Sequence, residues 1–119
     1  MINFLWVATG GFLGAISRYL TVLYVKRKFT SDIPAGTLAV NLLGSFLLGL
    51  LIGLDFNENL FLLLGVGFMG AFTTFSTFKF ETFELLEGKK KKQAVTYLIF
   101  TYAGGILFAF AGLILGKIE

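Results

Sequence analysis

Long stretches of this chain carry no charge for the length of a membrane span. Residues 33–54, 60–78 and 93–116 contain no Asp, Glu, Lys or Arg, and residues 2–25 contain only Arg18. The hydrocarbon core of a bilayer is about 30 Å thick and takes about 20 apolar residues of helix to cross. Inside it every backbone group must be paired, so segments of this length joined by short polar turns are read as helices. Of the 119 residues, 56% are hydrophobic and 14% charged, with a mean hydropathy of +0.85. Soluble domains carry about 25% charged residues, and a soluble core of this size could not hide so many apolar side chains. The expectation is one all-α domain of four transmembrane helices, over about 2–25, 33–54, 60–87 and 93–116, in the cell membrane.

The chain has no cysteine and no histidine. That removes disulfides, thiolate chemistry, imidazole metal ligands and histidine catalysis, and no nucleophile–base set is left for an enzyme. The net charge of +3 does not point to nucleic acid, because the basic residues sit beside apolar segments, where they act as topology determinants. The first segment does not read as a cleavable signal: it lacks a basic leading region, and Arg18 interrupts its apolar run.

Segment one places Trp6 and Tyr24 about 27 Å apart along a helix, matching an aromatic belt at each face. Gly10, Gly11 and Gly14 allow another helix to approach closely. Arg18 lies about 12 Å short of the Lys26-Arg27-Lys28 cluster. It either snorkels to the interface or lines a water-filled vestibule that attracts anions. Ser31 or Asp32 is expected to cap segment two, with Pro34 in its first turn.

Segment two carries Thr37, Asn41 and Ser45 at i, i+4 and i+8, a polar stripe on an apolar helix. Segment four repeats the pattern with Tyr97, Thr101 and Gly105. These stripes either glue helices together or supply the donors that replace an anion's hydration shell. Gly49 with Gly53, and Gly112 with Gly116, are spaced for helix contact. The run Gly88-Lys89-Lys90-Lys91-Lys92 reads as a turn.

Segment three holds the stretch 65–83, GVGFMGAFTTFSTFKFETF. Gly65, Gly67 and Gly70 weaken continuous helix, and Thr73 and Thr74 can hydrogen-bond their own backbone. A helix broken near 70–74 is expected, and irregular backbone at membrane depth is tolerated only when buried in protein or lining a cavity. Phe75 and Phe78, three apart, would share a face of the resumed helix. Two such rings either simply pack, or turn their positive edges to a small anion.

GFMGAFTTFSTFKFE, the upstream GTLAVNLLGSF and the four-segment layout resemble the Fluc-type (CrcB) fluoride channels, over essentially the whole chain. The resemblance implies a passive fluoride-selective channel built as an antiparallel dimer with two pores, with the lipid bilayer and a second channel subunit as partners. It implies that Phe75 and Phe78 form an aromatic box around fluoride, with Asn41 as an amide donor. Thr37, Tyr97, Thr101, Ser76 and Thr77 would lie along the path, and Arg18 would stand in the vestibule. The family often has a hydroxyl residue where this chain has Gly105. A structural Na⁺ at the dimer centre would be held by the carbonyls of Gly70 and Thr73.

A four-helix, proton-coupled multidrug exporter is the competing transport reading. It needs an acid deep in the membrane; segment one has none, and Glu81, Glu84 and Glu87 fall toward a segment end. A structural subunit without transport is the third. Four spans put Lys26, Arg27, Lys28 and Lys89–Lys92 on one side, against Lys117 on the other. Positive-inside bias would then fix both termini outside the cytoplasm, so an antiparallel dimer would call for a related chain of opposite bias; a homodimer is the alternative, because few charges can decide topology.

Overall fold

The computed structural model describes residues 2–29, 33–55 and 57–118. Helix α1 (Ile2–Lys28) and α2 (Ala35–Leu54) are followed by α3 (Glu58–Leu60), a π-helical stretch Phe61–Met69, and α4 (Gly70–Phe72) in one rod. After a break come α5 (Ser76–Glu87) and α6 (Lys91–Ile118). The molecule measures 47 × 31 × 23 Å, and its long dimension is close to the full thickness of a bilayer, about 40–45 Å. Among the described residues, 35–54, 58–87 and 91–118 are long and apolar enough to cross a membrane. With 27 residues α1 is long enough as well, but Arg18 and its other polar residues keep it outside that set.

Two glycine-mediated seams hold the helices. The first and most extensive joins α2 to α6. A Cβ on Gly49 would strike the Ala109 carbonyl, and one on Gly112 would strike the Phe46 carbonyl. Gly53 and Gly116 face each other along the same seam. In the second, Gly10 and Gly14 of α1 bring its backbone against Leu63 and Phe68 of the π-helical stretch, and Gly67 answers against Val7. Lipid supplies no hydrophobic drive between helices, so close packing of small residues carries the association.

The boundaries differ from the expected spans in instructive ways. Lys26–Lys28 remain helical at the end of α1. Pro34 is not inside the first turn of α2 but is its N-cap, and its carbonyl accepts the Leu38 amide at 3.1 Å. Ser31 and Asp32, the expected caps, lie outside the described residues. The lysine run is shorter as a turn than expected: Lys89 takes the left-handed conformation at φ 60°, and Lys91 and Lys92 already belong to α6.

The break falls where it is expected, near 70–74, but the glycines ahead of it do not unwind the helix. Gly65, Gly67 and Gly70 do not break the rod: 61–69 is wound as π-helix and 70–72 as α-helix. The helix gives way at 73–75 instead, where Thr73 turns extended (φ −87°, ψ 162°). Each glycine weakens helix by about 1 kcal/mol. Here that tendency is outweighed by packing against α1, and the rod widens its winding, as π-helical segments at functional sites often do.

Candidate functional site

The break is held open by side chains that replace the missing helical bonds. In continuous helix the Thr74 amide would donate to the Gly70 carbonyl. It donates instead to Asn41 Oδ1 at 2.8 Å, while Asn41 Nδ2 donates to the Thr74 carbonyl at 2.9 Å. The Thr77 amide would likewise donate to the Thr73 carbonyl, but turns to Thr74 Oγ1 at 3.3 Å. The Thr73 hydroxyl donates back to the Met69 carbonyl at 2.9 Å. The carbonyls of Gly70 and Thr73 thus lose their helical donors to side chains. Gly70 is exposed and has open space where a Cβ would stand.

Beside the break lies a cleft of about 440 Å³. Asn41 and Ser45 of α2, Gly70, Thr73, Phe75 and Phe78 of the broken rod, and Thr101 and Tyr102 of α6 all line it. No charged side chain is part of its lining. Thr101 Oγ1 is shielded from solvent and has no hydrogen-bond partner. The Asn41 amide has a second N–H beyond the one given to Thr74.

Phe78 is 3% exposed and Phe75 63%, although their ring centroids are 6.1 Å apart. The expectation of a shared face is therefore only half right: they touch, but Phe75 precedes α5 and faces outward. Phe78 is fixed by two steeply angled aromatic neighbours, Tyr97 at 5.1 Å and Tyr102 at 5.7 Å. A ring held this way has a defined edge direction.

Tyr97 is fully buried and does not line the cleft. Its hydroxyl donates to Glu81 Oε1 at 3.2 Å, and the buried Thr37 interacts with the same side chain. These residues continue from Phe78 toward the basic end of the bundle, so the polar stripes are divided: Asn41, Ser45 and Thr101 in the cleft, Thr37 and Tyr97 behind it. Gly105 sits one turn past Thr101, and a Cβ there would meet Ser45 Oγ at 3.6 Å. Ser76 and Thr77 are exposed and outside the cleft lining, and so is the half-buried Arg18.

The model of the family described as "CrcB-like protein, Camphor Resistance (CrcB)" matches residues 5–113. The chain belongs to the CrcB family. Among its curated CrcB relatives, "Fluoride-specific ion channel FluC 2" of Bacillus thuringiensis subsp. konkukian (strain 97-27) is 50% identical over 118 residues, 99% of this chain and 100% of that protein. "Fluoride-specific ion channel FluC 1" of Geobacillus kaustophilus (strain HTA426) is 47% identical, covering 95% of this chain and 97% of the relative. The protein of the same name from Listeria monocytogenes serovar 1/2a (strain ATCC BAA-679 / EGD-e) is 44% identical over 98% of each.

Sequence reasoning about this CrcB chain missed two residues that the structure brings to the site. Tyr102 follows Thr101 and so falls off the i, i+4 stripe, yet its ring reaches Phe78. Glu81 reads as one of three acids near a segment end, but it is half-buried and hydrogen-bonded by Tyr97. Its i+3 spacing from Phe78 was the available signal, since that spacing shares a helix face.

Proposed function

We propose that this chain is a subunit of a passive, fluoride-selective ion channel that lets cytoplasmic fluoride leave the cell. The observation that carries the reading is the cleft: an uncharged passage offering an amide N–H, a partnerless buried hydroxyl and a fixed phenyl ring, in a chain 50% identical to a protein named a fluoride-specific ion channel. A small anion entering it exchanges water for a few weak donors. Conduction needs sites that bind well enough to admit an ion and weakly enough to release it. Phenyl edges meet that requirement better than fixed cations. The chain is a transport protein, not an enzyme.

The working unit in this reading is an antiparallel dimer with two pores. The outward-facing Phe75 and the exposed residues Gly70, Ser76 and Thr77 support it, since they leave one face of the break for a second subunit to cover. Asn41, Phe75, Phe78 and Thr101 contact fluoride directly. Thr37 and Tyr97 continue the path, Ser76 and Thr77 complete it against the second subunit, and Arg18 draws anions to the mouth. A structural Na⁺ at the dimer centre is held by the Gly70 and Thr73 carbonyls; unwound carbonyls suit Na⁺, and the helical donors of these two are taken by side chains. The second subunit is a related chain of opposite charge bias, because the basic residues at 26–28 and 89–92 hold this one in a single orientation. Epitope tags at both termini, read in intact cells, test that orientation; an equal split between the two faces rejects it.

Efflux from liposomes, with this chain alone and with such a partner, tests the function. Fluoride should leave in response to a voltage, without a proton gradient, and chloride should not follow. Chloride flux equal to fluoride flux overturns the selectivity. Drug-coupled proton movement would establish the exporter instead, and no flux in either preparation would leave the stripes as helix–helix glue.

A further inference from the structure

Lys79 is placed where local rules disfavour it. It is the fourth residue of α5, within the helix's N-terminal turn, where the helix dipole opposes a cation. It is the first charge after the uncharged run 60–78, about 13 Å of helix short of Gly88 and the lysine turn, farther than a lysine side chain reaches. No acid stands three or four residues away on either side; Ser76, Phe75, Thr82 and Phe83 occupy those positions. Glu81, the nearest acid in sequence, is turned to Tyr97.

Its observed partner is the ring of Phe75, with Nζ 5.6 Å from the centroid. That is a cation–π distance. Phe75 lines the cleft, and its ring is 6.1 Å from that of Phe78. An ammonium over the face of a phenyl ring draws electron density toward itself and leaves the ring edge more positive. It also restrains an otherwise exposed ring.

We propose that Lys79 is a positioning residue for the anion path: seated on Phe75, it orients that ring, strengthens its edge as an anion contact and sets the rate of anion entry. The proposal rests on the channel reading, with fluoride as the anion. Lys79 need not touch the ion. Its charge raises the local anion concentration, and that contribution weakens as salt screens it.

The experiment is fluoride efflux from liposomes containing the channel with Lys79, K79M, K79R or K79Q, at low and at high ionic strength. K79M keeps the length and apolar stem of lysine and removes the charge, so a purely packing role survives it. The expected result is efflux about fivefold slower in K79M and K79Q at low salt, the scale of an exposed to partly desolvated cation–π contact. K79R should restore the rate, and the gap should narrow at high salt. K79Q replaces K79M as the neutral variant if K79M does not assemble. Neutral variants as fast as the parent overturn the proposal, as does K79R no faster than K79M, or a gap indifferent to salt. Absence of fluoride efflux in the parent channel would instead overturn the channel reading, so the two failures are distinguishable.

Discussion

Asn41 and Thr74, 33 residues apart, are joined twice: the Asn41 amide accepts the Thr74 N–H at 2.8 Å and donates to the Thr74 carbonyl at 2.9 Å. This pairing imitates the backbone bonds of a helix on a segment that has left the helix. It gives the break its partners at a depth where water cannot. It also leaves one amide hydrogen of Asn41 for the cleft.

Asn41→Asp keeps an acceptor for the Thr74 amide but loses the donor to its carbonyl, and it sets a carboxylate in an anion's way. Fluoride efflux should fall about 100-fold or more, the scale of a few kcal/mol of short-range repulsion. Asn41→Leu should also lose the structural pairing, at about 1–3 kcal/mol for stranded buried groups. Thermal unfolding in detergent, set beside efflux, separates the effects: N41L should melt lower. Near-parental efflux from N41D would show that the residue only closes the break.

Phe75 and Phe78 should respond differently to the same change. Phe78→Ile removes a buried ring from the cluster with Leu85, Ala94 and Tyr97. It should lower both stability and flux, with a packing cost of about 1–3 kcal/mol. Phe75→Ile removes an exposed ring and should lower flux while the melting temperature stays within a few degrees. Equal melting losses in both would mean that the subunit interface buries Phe75 as deeply as α6 buries Phe78.

Gly112→Ala should be among the most damaging small substitutions outside the cleft. Its Cβ would meet the carbonyl of Phe46, a backbone atom that no side-chain rotation can clear. Forcing α2 and α6 apart should cost about 1–3 kcal/mol or more. Size-exclusion profiles and thermal melts should show loss of the folded species. Gly70→Ala, where the space is open, is the control and should fold.

Sodium should act on stability before it acts on conduction. Exchanging Na⁺ for a large organic cation should lower the melting temperature of the assembled channel, and returning Na⁺ should restore it. The carbonyls of Gly70 and Thr73 are backbone groups, so Thr73→Ala should retain this response. A melting temperature indifferent to Na⁺ would show that water or protein donors satisfy those carbonyls.

Span length and glycine spacing are properties of single segments, and these the sequence by itself determined. Uncharged runs of about 20 residues can only be helices across a bilayer. Gly49, Gly53, Gly112 and Gly116 announce close approach because a missing Cβ does so on any helix, and α2 meets α6 along them. That 75 and 78 would touch was legible in their spacing, as was the polarity of Asn41, Ser45 and Thr101. The region of the break, near 70–74, was legible too, but the exact residues that leave the helix were not. Gly65, Gly67 and Gly70 weaken helix as well, but α1 packs against that part, and Asn41 reaches the backbone at Thr74. A side chain 33 residues away thus decided which amide left the helix. Tertiary structure also decided which phenylalanine is buried, because α6 brings Tyr97 and Tyr102 over Phe78 and leaves Phe75 outside. It turned Glu81 inward to Tyr97 for the same reason. Each of these outcomes depends on what a neighbouring helix presents at a given height, and no periodicity within one segment records that.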